Sequence, residues 1–430
     1  MRFRAVAVVL GLVGACGDGI APPDAVPPID GPAGRVTVRM GPSEAATVQV
    51  IFQNADSSLV LATRTGPDGT ANAFMAPGGF VTVIEDGSFS KSLYTWAGVQ
   101  PGDVLTLGAP FLSPGHDSPS FPIQVPLDEG QDFYELLTSC GSSFLQTPGG
   151  ISFVTLTGGC TAREDLLVLS RDVTFDNERY LYAADVTLDG SLIEMPDEWR
   201  AFESASVEVS GVPRSTRSMN VVMSLLDDGR PIDQMDRGGT FDLAGGAGAL
   251  AFQMPLPAGA GALVRITPGF QPDAVSTLRA VRWGLARSTT VVDFSQRLRT
   301  YREFPSYLPS LHAIRWSEEG SAAAPDAVIT ELGWREADLE PRNWVIVAPG
   351  SDEPIVRFPV LPLPSLMPDP ENTIFQPSTL TTLRLDGGGY ARVKKNLPIT
   401  WGSGASWPMD AAEGTIIIQE LGSPQFPFFD

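Results

Sequence analysis

Arg35-Val36-Thr37-Val38-Arg39-Met40 sets an apolar side chain on every second residue, and Val48-Gln49-Val50-Ile51-Phe52 repeats the rhythm after a short break. Successive side chains of a strand point to opposite faces, so this alternation reads as half-buried β-strand rather than helix. Leu59 and Leu61 continue it, followed by Ala71, Ala73 and Met75, then Val81 and Val83. The breaks carry turn chemistry. Asn54-Ala55-Asp56, Gly66-Pro67-Asp68-Gly69 and Pro77-Gly78-Gly79 supply residues that set or tolerate unusual φ. Short strands with turns at spacings of about 8–12 residues predict a β-sandwich.

The same reading runs outward along the chain. Ile123 to Leu127, Phe133 to Leu137, Ile151 to Leu156, Leu166 to Leu169, Tyr180 to Ala184 and Val186 to Leu188 have strand character, as do Ser206 to Val212, Met219 to Leu225, Gly248 to Met254, Leu263 to Thr267 and Leu278 to Leu285. Phe304-Pro305-Ser306-Tyr307-Leu308-Pro309 breaks the pattern and reads as an extended linker. Beyond it, Ala313 to Trp316, Ala327 to Trp334, Trp344 to Ala348, Ile355 to Phe358, Thr379 to Leu385 and Thr415 to Leu421 are strand-like again, while Val360-Leu361-Pro362-Leu363-Pro364 suits an edge or crossing loop. Windows with helical periodicity are few, and no repeat of 20–50 residues is discernible. The expected class is all-β, built as tandem antiparallel β-sandwiches: residues 35–108, a β-rich region 109–302 of one or two domains, and a C-terminal β-rich domain 303–430.

Residues 35–86 resemble the carboxypeptidase regulatory-like, or transthyretin-like, β-sandwich of bacterial surface proteins. The pieces that match are the opening strand Arg35-Val36-Thr37-Val38, the strand Val48 to Phe52, the turn Gly66-Pro67-Asp68-Gly69-Thr70-Ala71 and the close Ala76-Pro77-Gly78-Gly79-Phe80-Val81-Thr82-Val83. The resemblance implies a structural sandwich whose Asp-Gly and Pro-Gly turns are corners. It brings no catalytic residue.

The N-terminus gives an address. Arg2 and Arg4 precede an apolar or small run from Ala5 to Ala15, closing in Val13-Gly14-Ala15-Cys16, which is the order of a secretory signal peptide spanning residues 1–15. Its end resembles the bacterial lipobox, in which the cysteine receives diacylglycerol before cleavage, and this implies lipidation of Cys16. Residues 16–34 follow as a flexible tether, with five prolines between Pro22 and Pro32 and glycines at 17, 19, 31 and 34. Gly17 stands where an aspartate would resemble the inner-membrane retention signal of enteric bacteria, which favours the outer membrane of a Gram-negative envelope.

The chain of 430 residues carries a net charge of −21, and its lysines are Lys91, Lys394 and Lys395 alone. Such a surface repels phosphate backbones, so nucleic acid is not an expected partner, and the bilayer should be reached through acyl chains. With Cys16 lipidated, Cys140 and Cys160 remain. They are 20 residues apart in an oxidising compartment, and a hairpin would bring them together as a disulfide.

Little in the sequence is reagent-like. His116 lies in Pro114-Gly115-His116-Asp117-Ser118, where adjacent residues cannot form a triad with one another, and His312 sits at a strand entrance. There is no Gly-x-Ser-x-Gly elbow and no His-Glu-x-x-His. Acids beside tryptophans, Asp197 and Glu198 with Trp199 and Glu331 and Glu336 with Trp334, allow a sugar groove only if the rings are exposed; core packing is the plainer reading. Asp227-Asp228-Gly229 with Asp233 and Asp236 concentrates carboxylates without the alternating spacing of a calcium loop. The glycines at 238–239 and 245–248 lack the Lys-Ser/Thr of a phosphate loop and suit β-turns. No cofactor, metal or catalytic residue is therefore expected. The reading is a non-enzymatic, lipid-anchored envelope protein with a structural or interaction role and an envelope protein or glycan as partner. A carbohydrate-binding module or a carboxylate-dependent glycoside hydrolase is the alternative.

Overall fold

The computed structural model describes residues 33–421 apart from 41–46, 87–89, 108–118, 147–148, 157–159, 161, 173–177, 228–229, 271–275, 296–299, 320–323, 336–339, 370–372, 376–377, 386–388 and 397–413. The leader, Cys16, most of the tether and His116 lie outside the described residues. The chain is all-β in several sheets, with one short α-helix among the described residues.

One topology accounts for most of it. The first unit comprises β1 (Gly34–Met40), β2 (Gln49–Gln53), β3 (Leu59–Arg64), β4 (Thr70–Met75), β5 (Gly79–Asp86), β6 (Lys91–Val99) and β7 (Val104–Leu107). Its sheets are β4-β1-β7 and β3-β2-β5-β6, with β1 antiparallel to β4 but parallel to β7. The second unit, β8 (Ser120–Gln124), β9 (Phe133–Thr138), β10 (Gly141–Phe144), β11 (Ile151–Thr155), β12 (Arg163–Arg171), β13 (Arg179–Thr187) and β14 (Ile193–Glu194), repeats this wiring as β11-β8-β14 and β10-β9-β12-β13, and β15 (Arg200–Ala201) extends the larger sheet. The third repeats it again with β16 (Glu203–Ser210), β17 (Ser218–Asp227), β18 (Arg230–Asp242), β19 (Gly248–Met254), β20 (Gly261–Phe270), β21 (Ser276–Leu285) and β22 (Thr289–Asp293). The opening strands start at Gly34, Ser120 and Glu203, 86 and 83 residues apart. That period lies above the 20–50 residues at which solenoid repeats announce themselves.

The fourth unit varies the plan. It holds β23 (Thr300–Leu308), β24 (Ala313–Glu319), β25 (Ala327–Arg335), β26 (Pro341–Pro349), β27 (Ile355–Arg357), β28 (Ile374–Phe375), β29 (Thr379–Leu385), the helix α1 (Tyr390–Asn396) and β30 (Gly414–Leu421). Its small sheet is β23-β24-β27, so an antiparallel strand that precedes the repeat fills the edge that a parallel last strand fills elsewhere. The stretch expected as a linker, Phe304 to Pro309, is thus mostly strand β23, running into a 3-10 turn at Pro309–Leu311. Pro305 falls at an irregularity of the register between Glu303 and Ser306 on this edge strand, where a missing N–H is tolerated, and Pro309 opens the turn.

The larger sheets of units one, three and four fuse into a 13-stranded sheet, ordered β18-β17-β20-β21-β30-β29-β25-β26-β6-β5-β2-β3, with β28 paired to β25. Strands from the segments 35–108, 109–302 and 303–430 therefore share one sheet. Two joints make it. At the first, β21 pairs antiparallel with β30 from Ser276↔Leu421 to Trp283↔Gly414; at the second, β26 pairs parallel with β6 from Arg342↔Lys91 to Val347↔Trp96. Strands buried on both faces need no alternation. Ile416-Ile417-Ile418 reads as a continuous apolar run for that reason, its side chains entering two different cores.

Glycine is required where backbones meet. Gly79 has Gln53 O 2.4 Å from the place a Cβ would occupy, and Gly78 turns the chain at φ 86°. Gly238 and Gly239 lie within strand β18, contrary to the turn expected for them, and a Cβ on Gly238 would fall 1.9 Å from Val221 O. Gly245 and Gly246 do make a turn, at φ 65° and 88°.

Candidate functional site

The second unit stands outside the 13-stranded sheet and meets the third through a seam at which two buried acids, Glu164 and Asp227, come together. The outer face of its larger sheet contributes Leu137, Leu167, Leu169 and Tyr180 to the core of the third unit, where they join Ile232, Met235 and Met219. Charge borders this apolar contact. Arg171 Nε lies 2.9 Å from Glu178 Oε1, and Glu178 in turn accepts from Arg237 Nη2 of β18 at 3.1 and 3.2 Å. The Arg237 guanidinium also stands 5.8 Å from the centre of the Phe202 ring.

Glu164, at the start of β12, and Asp227, at the end of β17, meet across the seam. Glu164 is 0% and Asp227 5% exposed. Burial, with the hydrogen bond to Glu164 next, pushes the Asp227 carboxyl up to about 7, while a backbone hydrogen bond from Asp165 opposes the shift. Two carboxyl groups in contact cannot both ionise cheaply, so the pair holds one proton between them. Ser139 Oγ donates to Glu164, and Tyr182 donates its hydroxyl proton to Asp165, whose other oxygen accepts the Asp185 N–H at 2.8 Å. Desolvation and Asp165 together push the Tyr182 phenol well above its ordinary range. Both paired acids are buried, and the proton between them holds the two sides of the seam together.

The disulfide lies beside this cluster. Cys140 and Cys160 are bonded, with Cα atoms 4.9 Å apart. They do not meet through a hairpin, as the spacing suggested. Cys140 is in the β9–β10 turn of one sheet and Cys160 follows β11 of the other, so the bond ties the two layers of the second unit together. Cys160 is buried in that unit's core. Closing a loop of this size stabilises by about 3 kcal/mol, chiefly through the unfolded chain.

The remaining sequence candidates disperse. Asp236 is exposed and bonds Ser224 and, at 2.9 Å, Arg265, whereas Asp227 points into the acid pair; these two do not converge on a common ion position, and Asp228 lies outside the described residues. No group of three His, Cys, Asp or Glu among the described residues is placed to hold a metal. Trp96, Trp199, Trp283, Trp316, Trp334 and Trp344 are all buried, so none of these offers a sugar platform. Trp199 donates Nε1–H to Pro126 O at 3.2 Å and packs edge-on against Tyr134; Trp334 packs on Trp344. Glu331 accepts from Asn343 at 2.7 Å. His312 is half-buried, its Nδ1 3.3 Å from Tyr307 Oη.

A third cluster staples the joint between units one and four. Tyr390 of α1 donates to the carbonyls of Ala97, at 2.5 Å, and Val347, at 2.8 Å, one on each strand of the parallel pair. Lys394 is bonded to Asp103 and reaches Gly98 O at 3.4 Å. Burial raises the Tyr390 phenol well above its ordinary range, and the Asp103 charge adds to the shift. Sequence reasoning missed both α1 and this staple.

No family model matches the chain, and no curated protein matches it. Among solved structures it aligns with a streptococcal ancillary pilin at 10% identity and a TM-score of 0.18, over 61% of this chain and 98% of the other. The Bacillus anthracis TIE protein aligns at 10% identity and 0.15, over 61% of this chain and 50% of that one. An Escherichia coli alpha-2-macroglobulin aligns at 11% identity and 0.13, over 78% of this chain and 26% of that one. Alignments at these scores carry no function to the present chain.

Proposed function

We propose that the chain is a non-catalytic scaffold of the bacterial envelope, anchored by lipid on Cys16 and held off the outer membrane by residues 16–34. The observation that carries this reading is the fusion of three sandwich units into one sheet by strand pairing at β21–β30 and β26–β6. Edge pairing over eight residue pairs at β21–β30 and six at β26–β6, with Tyr390 and Lys394 stapling the second joint, fixes the units against one another as a rigid scaffold requires. Buried tryptophans and acids tied up in the seam argue against a glycan platform or a glycosidase cleft. The seven-stranded sandwich of residues 34–107 supports the resemblance to carboxypeptidase regulatory-like domains, which are structural modules. The acidic surface leaves nucleic acid out as a partner.

Intact-mass analysis of the protein from its native membrane, with and without reductant, tests the anchor. The expected mass lacks residues 1–15, carries acyl groups on Cys16, and rises by two hydrogens on reduction. A chain that retains its leader, or an unmodified Cys16, contradicts it.

A further inference from the structure

The edge strand β11 of the second unit is an association surface, and we propose that its occupant is the same strand of a second copy, paired antiparallel about a twofold axis. This goes beyond the scaffold reading and does not depend on the lipid. β11 lies at the edge of the sheet β11-β8-β14 and pairs with β8 on one side in an unbroken register, from Ile151↔Gln124 to Thr155↔Ser120. Among the described residues no strand pairs with its other side. The Leu156 N–H bonds Pro119 O, so the hydrogen-bonded pairs with β8 fall on even-numbered residues. The N–H and C=O groups of Ile151, Phe153 and Thr155 therefore face outward along the open edge.

Edge strands of soluble proteins are ordinarily blunted by charge, proline or a bulge. Ile151-Ser152-Phe153-Val154-Thr155 has none of these. Phe153 is 85% and Ile151 47% exposed, the largest exposure of any apolar side chain in this sheet falling on its unpaired strand. The neighbouring strand, Ser120-Phe121-Pro122-Ile123-Gln124, is uncharged as well.

Charge narrows where two copies can meet. Two copies at −21 each repel over most of their surface, whereas β11 and β8 carry no charge and the exposed Glu194 of β14 lies two strands away from the open edge, so this edge is where two copies approach with least repulsion. The strand also suits itself. A twofold axis at Phe153 sets Phe153 against its counterpart and Ile151 against Thr155, so the outward-facing groups of one edge meet those of the other. The chain already joins its own units in this way, antiparallel at β21–β30.

Sedimentation velocity of the full chain carrying Cys16→Ser, with its disulfide intact, tests the pairing over a concentration series. The expected result is a reversible dimer. Phe153→Glu places two carboxylates opposite each other and should weaken it by on the order of 100-fold. Phe74→Glu, at an equally open phenylalanine 71% exposed on β4, should leave it unchanged. Both side chains stand outside the cores, and unaltered thermal unfolding checks that the variants fold. A monomer at every concentration, a dimer indifferent to Phe153→Glu, or one equally lost with Phe74→Glu overturns the proposal.

Discussion

Trp344→Ala should lower the stability of the chain by about 3–5 kcal/mol, the range for truncating a fully buried tryptophan. Trp344 is 0% exposed and sits on β26 opposite Leu93 of β6, where units one and four meet. Its Nε1–H donates to Thr95 Oγ1 at 2.8 Å, across the joint, and Thr95 in turn bonds Thr82 at 2.8 Å. Its ring packs against Phe358 at 5.0 Å between centres and against Trp334 at 6.4 Å. Truncation thus opens a cavity and removes one of the two hydrogen bonds of the buried Thr95 hydroxyl in a single change. Denaturant unfolding followed by tryptophan fluorescence measures the loss. Unit one should also uncouple, so that a single transition splits in two. A cost below about 1 kcal/mol would mean that the joint is loosely packed.

Stability should fall as the pH rises from about 4 to about 7, and Asp227→Asn should abolish that slope. The sign follows from the proton count. The Asp227 carboxyl titrates near 7 in the folded chain, against an ordinary value of 3.8. Between these limits the folded state binds the extra proton, so raising the pH favours unfolding. Below about 4 both states are protonated; above about 7 both are ionised and the full penalty is present. Each unit of separation is worth about 1.4 kcal/mol, so the asparagine variant should exceed the parent by roughly 1–4 kcal/mol at pH 8. Asparagine keeps the contacts of a protonated acid, accepting from the Asp165 N–H and donating to Glu164. The groups around the pair are Asp165 on the same strand as Glu164, Tyr182 on β13, which donates to Asp165, and Ser139, which donates to Glu164. Thermal melts from pH 4 to 8 read the result, and parallel pH profiles for parent and variant would show that the shared proton does not exist.

The strands were legible because alternation is local. Val36, Val38 and Met40 point into one core as their spacing dictates, and Gly66 to Gly69 turns as its residues require, with Asp68 accepting the Thr70 N–H. Ile416-Ile417-Ile418 could be read as strand but not as a strand covered on both faces, since a partner hundreds of residues away supplies that cover. The period of the units escaped notice because it resides in connectivity. β1, β8 and β16 play the same part with unrelated residues. Glu164 stands two residues before the apolar run Leu166 to Leu169, with the charged Asp165 between, and a bulge between Glu164 and Leu166 breaks the parity that would have revealed its face. Tyr390 and Lys394 carry no local signal at all, because a seven-residue helix gains its meaning from the two carbonyl rows it caps.

Hydrogen exchange on the intact chain tests most directly whether the three units form one sheet. Amides of β6, β26, β21 and β30 at the two joints should be as protected as those of β5 and β20 inside the units, and far slower to exchange than the open edge of β3. Joint amides that exchange as fast as β3 would show separate sandwiches lying side by side, and the scaffold reading would go with them.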